Sequence, residues 1–458
     1  MAVAPEPTTD RASRRAFLRS VLAATAAATL VPKTAAGASS DAKGAAGPYG
    51  PLAARDGSGL LLPEGFTGRV VARSGEPVSP SDLIWRGAPD GAATFDDGAG
   101  GWYHAVNHEL TEPEGGVSVV HYDAAGQIVD AYSVLEGTSR NCAGGATPWG
   151  TWLSCEEVEM GFVYECDVAR PGQGVQVPAL GRFRHEAVAV DPRRQQVYLT
   201  EDQPDGFLYR FTPASYPDLA DGVLEAAVVV DDEVAWTPVP DPQASDTATR
   251  FQLDGDAATR FGGGEGVWYH DDRVWFTTKV DGRVWELDVK TDRLRIVYDQ
   301  STSTAASVLT GVDNITVEAG SGDLFVAEDK GNMEVVVIAA DGSVSPMLRI
   351  PGHDGSEVTG PVFNPAGDRL YVSSQRGVDG EGVTYEISGP FRGRQLDVEP
   401  GSGVTDTGLP WLGAGLAVAT TAGVALLYGR RRARPELEGG PTEAETEHRV
   451  DGVDGVDV

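Results

Sequence analysis

The sequence predicts an all-β protein, a six-bladed β-propeller followed by a single C-terminal transmembrane helix. A three-strand pattern that recurs at a period of roughly 40–50 residues points to the propeller, because four-stranded blades repeat at that spacing. The helix rests on a second observation, an uncharged apolar stretch from Leu409 to Tyr428 with arginines directly after it.

The repeat is clearest from His185 to Pro192, Val197 to Asp202 and Gly206 to Phe211, three short apolar runs joined by turn residues. It returns at Gly264 to Tyr269, Val274 to Lys279 and Gly282 to Leu287. A further copy runs from Asp313 through Leu324 to Asp329, and another from Ser356 through Leu370 to Gln375 and on to Ile387. Earlier, Asn141 to Gly145 leads to Thr151 to Glu156. The first copy opens at Asp90-Gly91 and closes its second strand with His104 to Glu109. The longer interval between Glu186 and Glu265 holds an insertion, Pro213 to Phe261, with one strand expected at Leu224 to Val230.

The ends of the chain supply addresses. Arg14-Arg15 precedes a mildly apolar run, Val21 to Val31, and then Ala36-Gly37-Ala38, the order of a twin-arginine (Tat) export signal and its cleavage site. Leu409 to Tyr428 is about the length a helix needs to cross the hydrocarbon core. Trp411 and Tyr428 stand at its edges, and Arg430, Arg431, Arg432 and Arg434 place the C-terminus in the cytoplasm. The expected organisation is a signal over 1–38, linker 39–59, propeller 60–395, linker 396–408, transmembrane helix 409–428 and disordered tail 429–458.

A net charge of −32 with five lysines repels phosphate backbones, which excludes nucleic acid as a partner. The same acidity fits a salty or calcium-rich exterior. Cys155 and Cys166 flank a turn-like segment and either pair across a hairpin or remain thiols, since spacing does not set disulfide geometry. Cys142 is left over as a buried thiol or a metal ligand.

Propeller geometry says where chemistry gathers. The residue that opens the first strand of a blade and the one that ends its second lie on one face near the axis. The opening residues are Asp90, Cys142, Glu186, Glu265, Asn314 and Glu357; the ending ones are Glu109, Glu156, Asp202, Lys279, Asp329 and Gln375. Carboxylates crowded on one axis cannot all stay ionised without cations. Oxygen ligands suit calcium, and a single thiolate among carboxylates suits a transition metal such as iron.

At these residues the sequence resembles the PhoX-type alkaline phosphatases, a family of exported calcium- and iron-dependent propellers. The matching pieces are Asn107-His108-Glu109, the block from Asn141 to Glu157 around Cys142, His185-Glu186-Ala187, Glu201-Asp202, Asp313-Asn314 and Glu357-Val358-Thr359-Gly360. The resemblance implies hydrolysis of small phosphate monoesters at an iron and calcium cluster. It makes Cys142, Glu186 and Glu357 iron-side ligands, and Asn107, Glu109, Glu156, Glu201, Asp202, Glu265, Asn314 and Asp329 calcium ligands. The family pattern sets an arginine two residues before the glutamate of Glu357-Val358-Thr359-Gly360, where this chain has Gly355. Lys279, Arg140 or Arg376 would then supply the positive charge that a phosphoryl group needs. The expected protein is a monomer, extracellular and anchored by one helix. A calcium-dependent propeller lactonase or esterase, and a non-catalytic calcium-binding surface module, are the alternatives that the acidic rings leave open.

Overall fold

The structure, a computed structural model, describes residues 47–393 apart from 173, 254, 256 and 305–307. The expected export signal, transmembrane helix and tail lie outside the described residues. Among these residues the helical elements are two short 3-10 turns, Pro178–Leu180 and Thr249–Gln252, and no helix is long and apolar enough to cross a membrane.

The paired strands of every sheet run antiparallel, and most neighbours are joined by short hairpin connections. Pro89–Asp96, Trp102–His108, Gly115–Tyr122 and Ile128–Thr138 form the first. Asn141–Ala146, Thr151–Glu156, Val163–Asp167 and Gly174–Gln176 form the second. A nine-stranded sheet follows. Its first arm is His185–Asp191, Gln196–Glu201, Leu208–Ser215, Asp218–Val230 and Glu233–Pro238. Its second arm is Gly264–His270, Arg273–Thr278, Arg283–Asp288 and Arg293–Asp299. The arms join at their outer edges through one residue pair, Glu233 with Arg293, tightened by the ion pairs of Arg293 with Asp232 and Glu233. Next come Val312–Val317, Leu324–Glu328, Glu334–Ile338 and Val344–Arg349. The last sheet is Val358–Phe363, Arg369–Ser374 and Val383–Ser388, completed on its outer edge by Thr67–Arg73 from the other end of the domain.

That N-terminal strand closes the ring, and the sequence reading did not foresee it. The insertion also changes meaning. Leu224 to Val230 is the second half of Asp218–Val230, which pairs with Leu208–Ser215 as the ordinary fourth strand of its arm. What is inserted is the stretch after it, which returns through Thr249–Gln252 to the turns near the axis.

Period-two alternation builds the core, because successive residues of a strand face opposite sides of the sheet. In Glu334–Ile338, Val335 and Val337 pack with Phe325, Leu370 and Ile387, while Val336 and Ile338 pack on the other side with Trp275 and Val326. Both faces of each sheet are buried this way, and each apolar layer is shared by neighbours. The two arms of the nine-stranded sheet share one, with Tyr198 and Ala189 against Val274 and Phe276. The last sheet meets the first through Tyr371 and Val362 against Trp102 and Val120, so the layers close on themselves as an all-β propeller. The three cysteines are free. Cys166 pairs with Trp152 and Cys155 with Val163, which sends the two thiols into layers on opposite faces and away from each other.

His104 lies in the closing layer, its ring tilted against Tyr371 at 4.4 Å between centroids, and neither ring nitrogen has a hydrogen-bond partner among the described residues. Burial lowers its pKa to about 3. The folded state therefore holds it neutral while the unfolded chain protonates it below its ordinary value of 6.5. Its contribution is complete above that pH and is lost as pH falls toward 3, by about 2 kcal/mol at pH 5. The variant His104→Phe is expected to show a drop in urea-unfolding free energy between pH 7 and pH 5 that is about 2 kcal/mol smaller than the parent's; an unchanged drop would remove His104 from the acid response.

Candidate metal centre

The six strands nearest the axis share one irregularity. Each carries a β-bulge near its start, after Pro89, Asn141, His185, Gly264, Val312 and Thr359. A bulge adds an unpaired residue and re-aims side chains. Asp90, Cys142, Glu186, Glu265 and Asp313 stand at the bulged position in five strands. In the sixth that place falls to the Thr359-Gly360 step, and Glu357, just before the strand, brings the carboxylate instead. Small residues let the bulges meet. A Cβ on Gly91 would lie 2.4 Å from Ala143 Cα, and one on Gly360, whose φ is +59°, would lie 2.4 Å from Asp90 O.

A second ring follows from a repeated hydrogen bond. The residue after each second strand donates its N–H to the carbonyl just before the first strand. Glu109 donates to Ala88, Glu157 to Arg140, Asp202 to Arg184, Lys279 to Gly263, Asp329 to Gly311 and Gln375 to Glu357, at 2.8–3.1 Å. Among the described residues the two rings mesh into four groups, and within each the ligand atoms all lie within 4.8 Å of one another. These are Cys142, Glu157 and Glu186; Asp90, Glu109 and Glu357; Glu186, Glu265 and Asp313; and Asp313, Asp329 and Glu357. Glu186, Asp313 and Glu357 each belong to two groups.

Burial makes this arrangement electrostatically tense. It is the largest cause that pushes Asp90, Glu186 and Glu265 well above the carboxylate range, and neighbouring acids add to it in each case. Burial with Asp313 and Asp329 raises Glu357 to about 9, and Asp313 and Glu157 reach about 7. Burial, then Asp90 and Glu186, push the Cys142 thiol up; its Sγ is 3.3 Å from Glu186 Oε1. The donor set fits cations: acids that repel one another, one thiol among them, and one oxygen to spare. That oxygen is Gln375 Oε1, buried with no hydrogen-bond partner among the described residues, while Gln375 Nε2 donates to Asp90 and Glu109.

A fringe of cations borders the acids. Arg140 Nη1 is 2.7 Å from Glu109, Arg184 Nη2 is 2.5 Å from Glu157, and Arg376 Nη1 is 2.5 Å from Glu357. Lys279 Nζ lies 2.8 Å from Asp202 and 2.6 Å from Glu265. Its burial would lower its pKa, but the two carboxylates outweigh that and raise it.

Of the residues expected from sequence, Cys142, Glu186, Glu357, Glu109, Glu265 and Asp329 enter the groups; Asp202 stands at the edge with Lys279. Four others stand apart, each held by protein donors or acceptors. Asn107 Nδ2 donates to the carbonyls of Cys142 and Ala143, and its Oδ1 accepts from Trp152 Nε1 and Ser154 Oγ. Glu156 accepts from the backbone of Ser139 and Phe162, and Glu201 from Phe207 N, Tyr209 and Arg250. These two glutamates clamp hairpins, as Glu328 does with Thr310 and Glu334. Asn314 accepts from Gly360 N and donates to Asp313. The groups contain instead Glu157 and Asp313, each one residue from an expected ligand, together with Asp90. Arg184 was also missed, although it precedes His185-Glu186 as Arg140 precedes Asn141-Cys142. At position 355 a side chain would meet open space.

Comparison with known proteins bears on the family and the fold. Residues 102–161 and 158–377 match the family described as alkaline phosphatase PhoX. Pseudomonas fluorescens PhoX, solved in complex with vanadate, a transition-state analogue, is similar at 17% identity and a TM-score of 0.63, over 74% of this chain and 97% of that one. A Bacteroides thetaiotaomicron protein of unknown function aligns at 10% identity and a TM-score of 0.45, over 70% and 76% of the two chains. The calcium-binding protein regucalcin from Agrobacterium tumefaciens aligns at 16% identity and a TM-score of 0.37, over 72% and 98%. No curated protein sequence matches the chain.

The role of Asn107 can be separated from ligation. The change Asn107→Asp keeps an acceptor for Trp152 and Ser154 but sets a carboxylate against two carbonyl oxygens. It is expected to lower the urea-unfolding free energy of metal-free protein by about 3 kcal/mol or more. A stability equal to the parent's would mean that Asn107 does not position the Cys142 strand.

Proposed function

The chain belongs to the PhoX alkaline phosphatase family, and from that premise we propose that it is a metal-dependent hydrolase of small phosphate monoesters. The observation that carries the reading is the meshing of Cys142 and the buried carboxylates into four ligand groups. We read the nine-stranded sheet as two blades joined at their outer edges, which makes six blades around one centre. Iron is assigned to Cys142, Glu157 and Glu186, where the thiolate favours a transition metal. Calcium is assigned to the oxygen-only groups built from Asp90, Glu109, Glu265, Asp313, Asp329 and Glu357. When bound, the cations would neutralise phosphoryl oxygens and activate the attacking water.

The chain's own part is to orient the ester. Arg140 and Arg376 flank Glu109 from two sides, and each guanidinium keeps N–H donors beyond those given to carboxylates. Arg376 stands beside Glu357 and brings a guanidinium to the region where the family arginine would arise from position 355. Arg184 adds a third, and its Nε is buried without a hydrogen-bond partner among the described residues. These groups would hold the equatorial phosphoryl oxygens by paired, charge-assisted bonds.

Location belongs to the same proposal. Tat export carries folded protein, which suits a metal centre assembled before translocation, and Leu409 to Tyr428 would anchor a monomeric propeller outside the cell with its tail in the cytoplasm. Hydrolysis of 4-nitrophenyl phosphate by the full chain, lost on chelation and restored by calcium, is the expected result. Arg140→Ala with Arg376→Ala is expected to reduce kcat/KM by about 100-fold or more. Full activity of that double variant would contradict the clamp, and no hydrolysis of any phosphate ester by metal-replete protein would contradict the phosphatase reading.

A further inference from the structure

Lys279 differs from every residue that occupies its place in the other strands. The equivalent positions hold Glu109, Glu157, Asp202, Asp329 and Gln375, each of which offers an oxygen, whereas Lys279 offers an ammonium group. Its Nζ joins Asp202 Oδ2 at 2.8 Å to Glu265 Oε1 at 2.6 Å, bridging the two arms of the nine-stranded sheet. Asp202 is the ring carboxylate that enters none of the four ligand groups among the described residues.

A positive φ just before the first strand recurs at Ala88, Arg140 and Gly311; at Gly263 the missing side chain also leaves room for the lysine stem. Gly263 has a φ of +63°, and a Cβ there would lie 2.7 Å from Lys279 Cγ, so any larger residue would displace the lysine stem. The Lys279 N–H is meanwhile fixed to Gly263 O at 2.8 Å. Lys279 is exposed over about a third of its side chain, yet its stem packs at Gly263 and its ammonium is held between two carboxylates.

We infer that Lys279 is a tethered cation: in one sector of the ring its ammonium stands where a bound metal ion stands in the others. The inference rests on the reading of the ring as a cation centre. It makes Lys279 a positioning residue that orients Glu265 toward Glu186 and Asp313, and it removes Asp202 from the calcium ligands and Lys279 from the phosphate clamp. Ammonium and divalent cation satisfy the same carboxylates, but the lysine brings one charge and cannot be chelated away.

The test is a calcium count on the full, metal-loaded chain by elemental analysis, with calcium-dependent melting as the second readout. Lys279→Gln is expected to hold one calcium more per chain than the parent and to gain a larger rise in melting temperature from added calcium. Lys279→Arg, which keeps the tethered charge, is expected to retain the parental count. An unchanged count and an unchanged calcium response in Lys279→Gln would overturn the inference while leaving the metal centre intact. A parent chain that binds no divalent cation would overturn both.

Discussion

The mutual repulsion of carboxylates buried around one axis is the constraint on which the rest of the molecule depends. At a separation of about 5 Å and an effective dielectric near 20, two such charges repel by about 3 kcal/mol. Glu186, Asp313 and Glu357 each face more than one partner. A fold that brings these groups together must hold them by something stronger than their own preferences. The ring of sheets does so, because each first strand lies against the first strands of two neighbouring sheets. The apolar layers between sheets supply the stability that the centre consumes.

Two small devices turn that scaffold into a site. The bulge at the start of each inner strand re-aims one side chain, and the N–H from the end of the second strand ties a neighbouring side chain beside it. Repetition around the axis converts single strand ends into an inner and an outer ring. The rim of the centre carries a partial answer to the repulsion, with arginines on Glu109, Glu157 and Glu357 and a lysine between Asp202 and Glu265. The deeper acids, Asp90, Glu186 and Asp313, have no ion pair among the described residues, which is why cations remain the chemistry that the donor set fits.

Much of this was legible in the sequence. Short runs such as Val197 to Asp202 and Val274 to Lys279 announce second strands, and they place the rings on one face. What sequence could not fix was register at single-residue precision. Glu156 and Glu157 are both acidic, and only the pairing of Asn141 with Glu156 shows that Glu157 is the one beyond the strand. Asp313 and Asn314 pose the same ambiguity, settled by the bulge after Val312. Asp90 was seen as an opening residue but left out of the ligand set, since its copy of the repeat is the weakest. The closing strand is a different failure: Thr67–Arg73 pairs with residues more than 300 positions away, and no local pattern encodes that partner. Arg184 could have been found by aligning Arg140-Asn141-Cys142 with Arg184-His185-Glu186.

The claim at the centre of this account is that cations, with iron at Cys142, reconcile the buried acids. Elemental analysis of the full chain, purified from a host with the twin-arginine pathway, tests it directly. The account predicts iron and calcium together, with the iron absent from the variant Cys142→Ser and the calcium retained. Calcium without iron in the parent would reduce Cys142 to a core thiol, and a chain free of both metals would contradict the account.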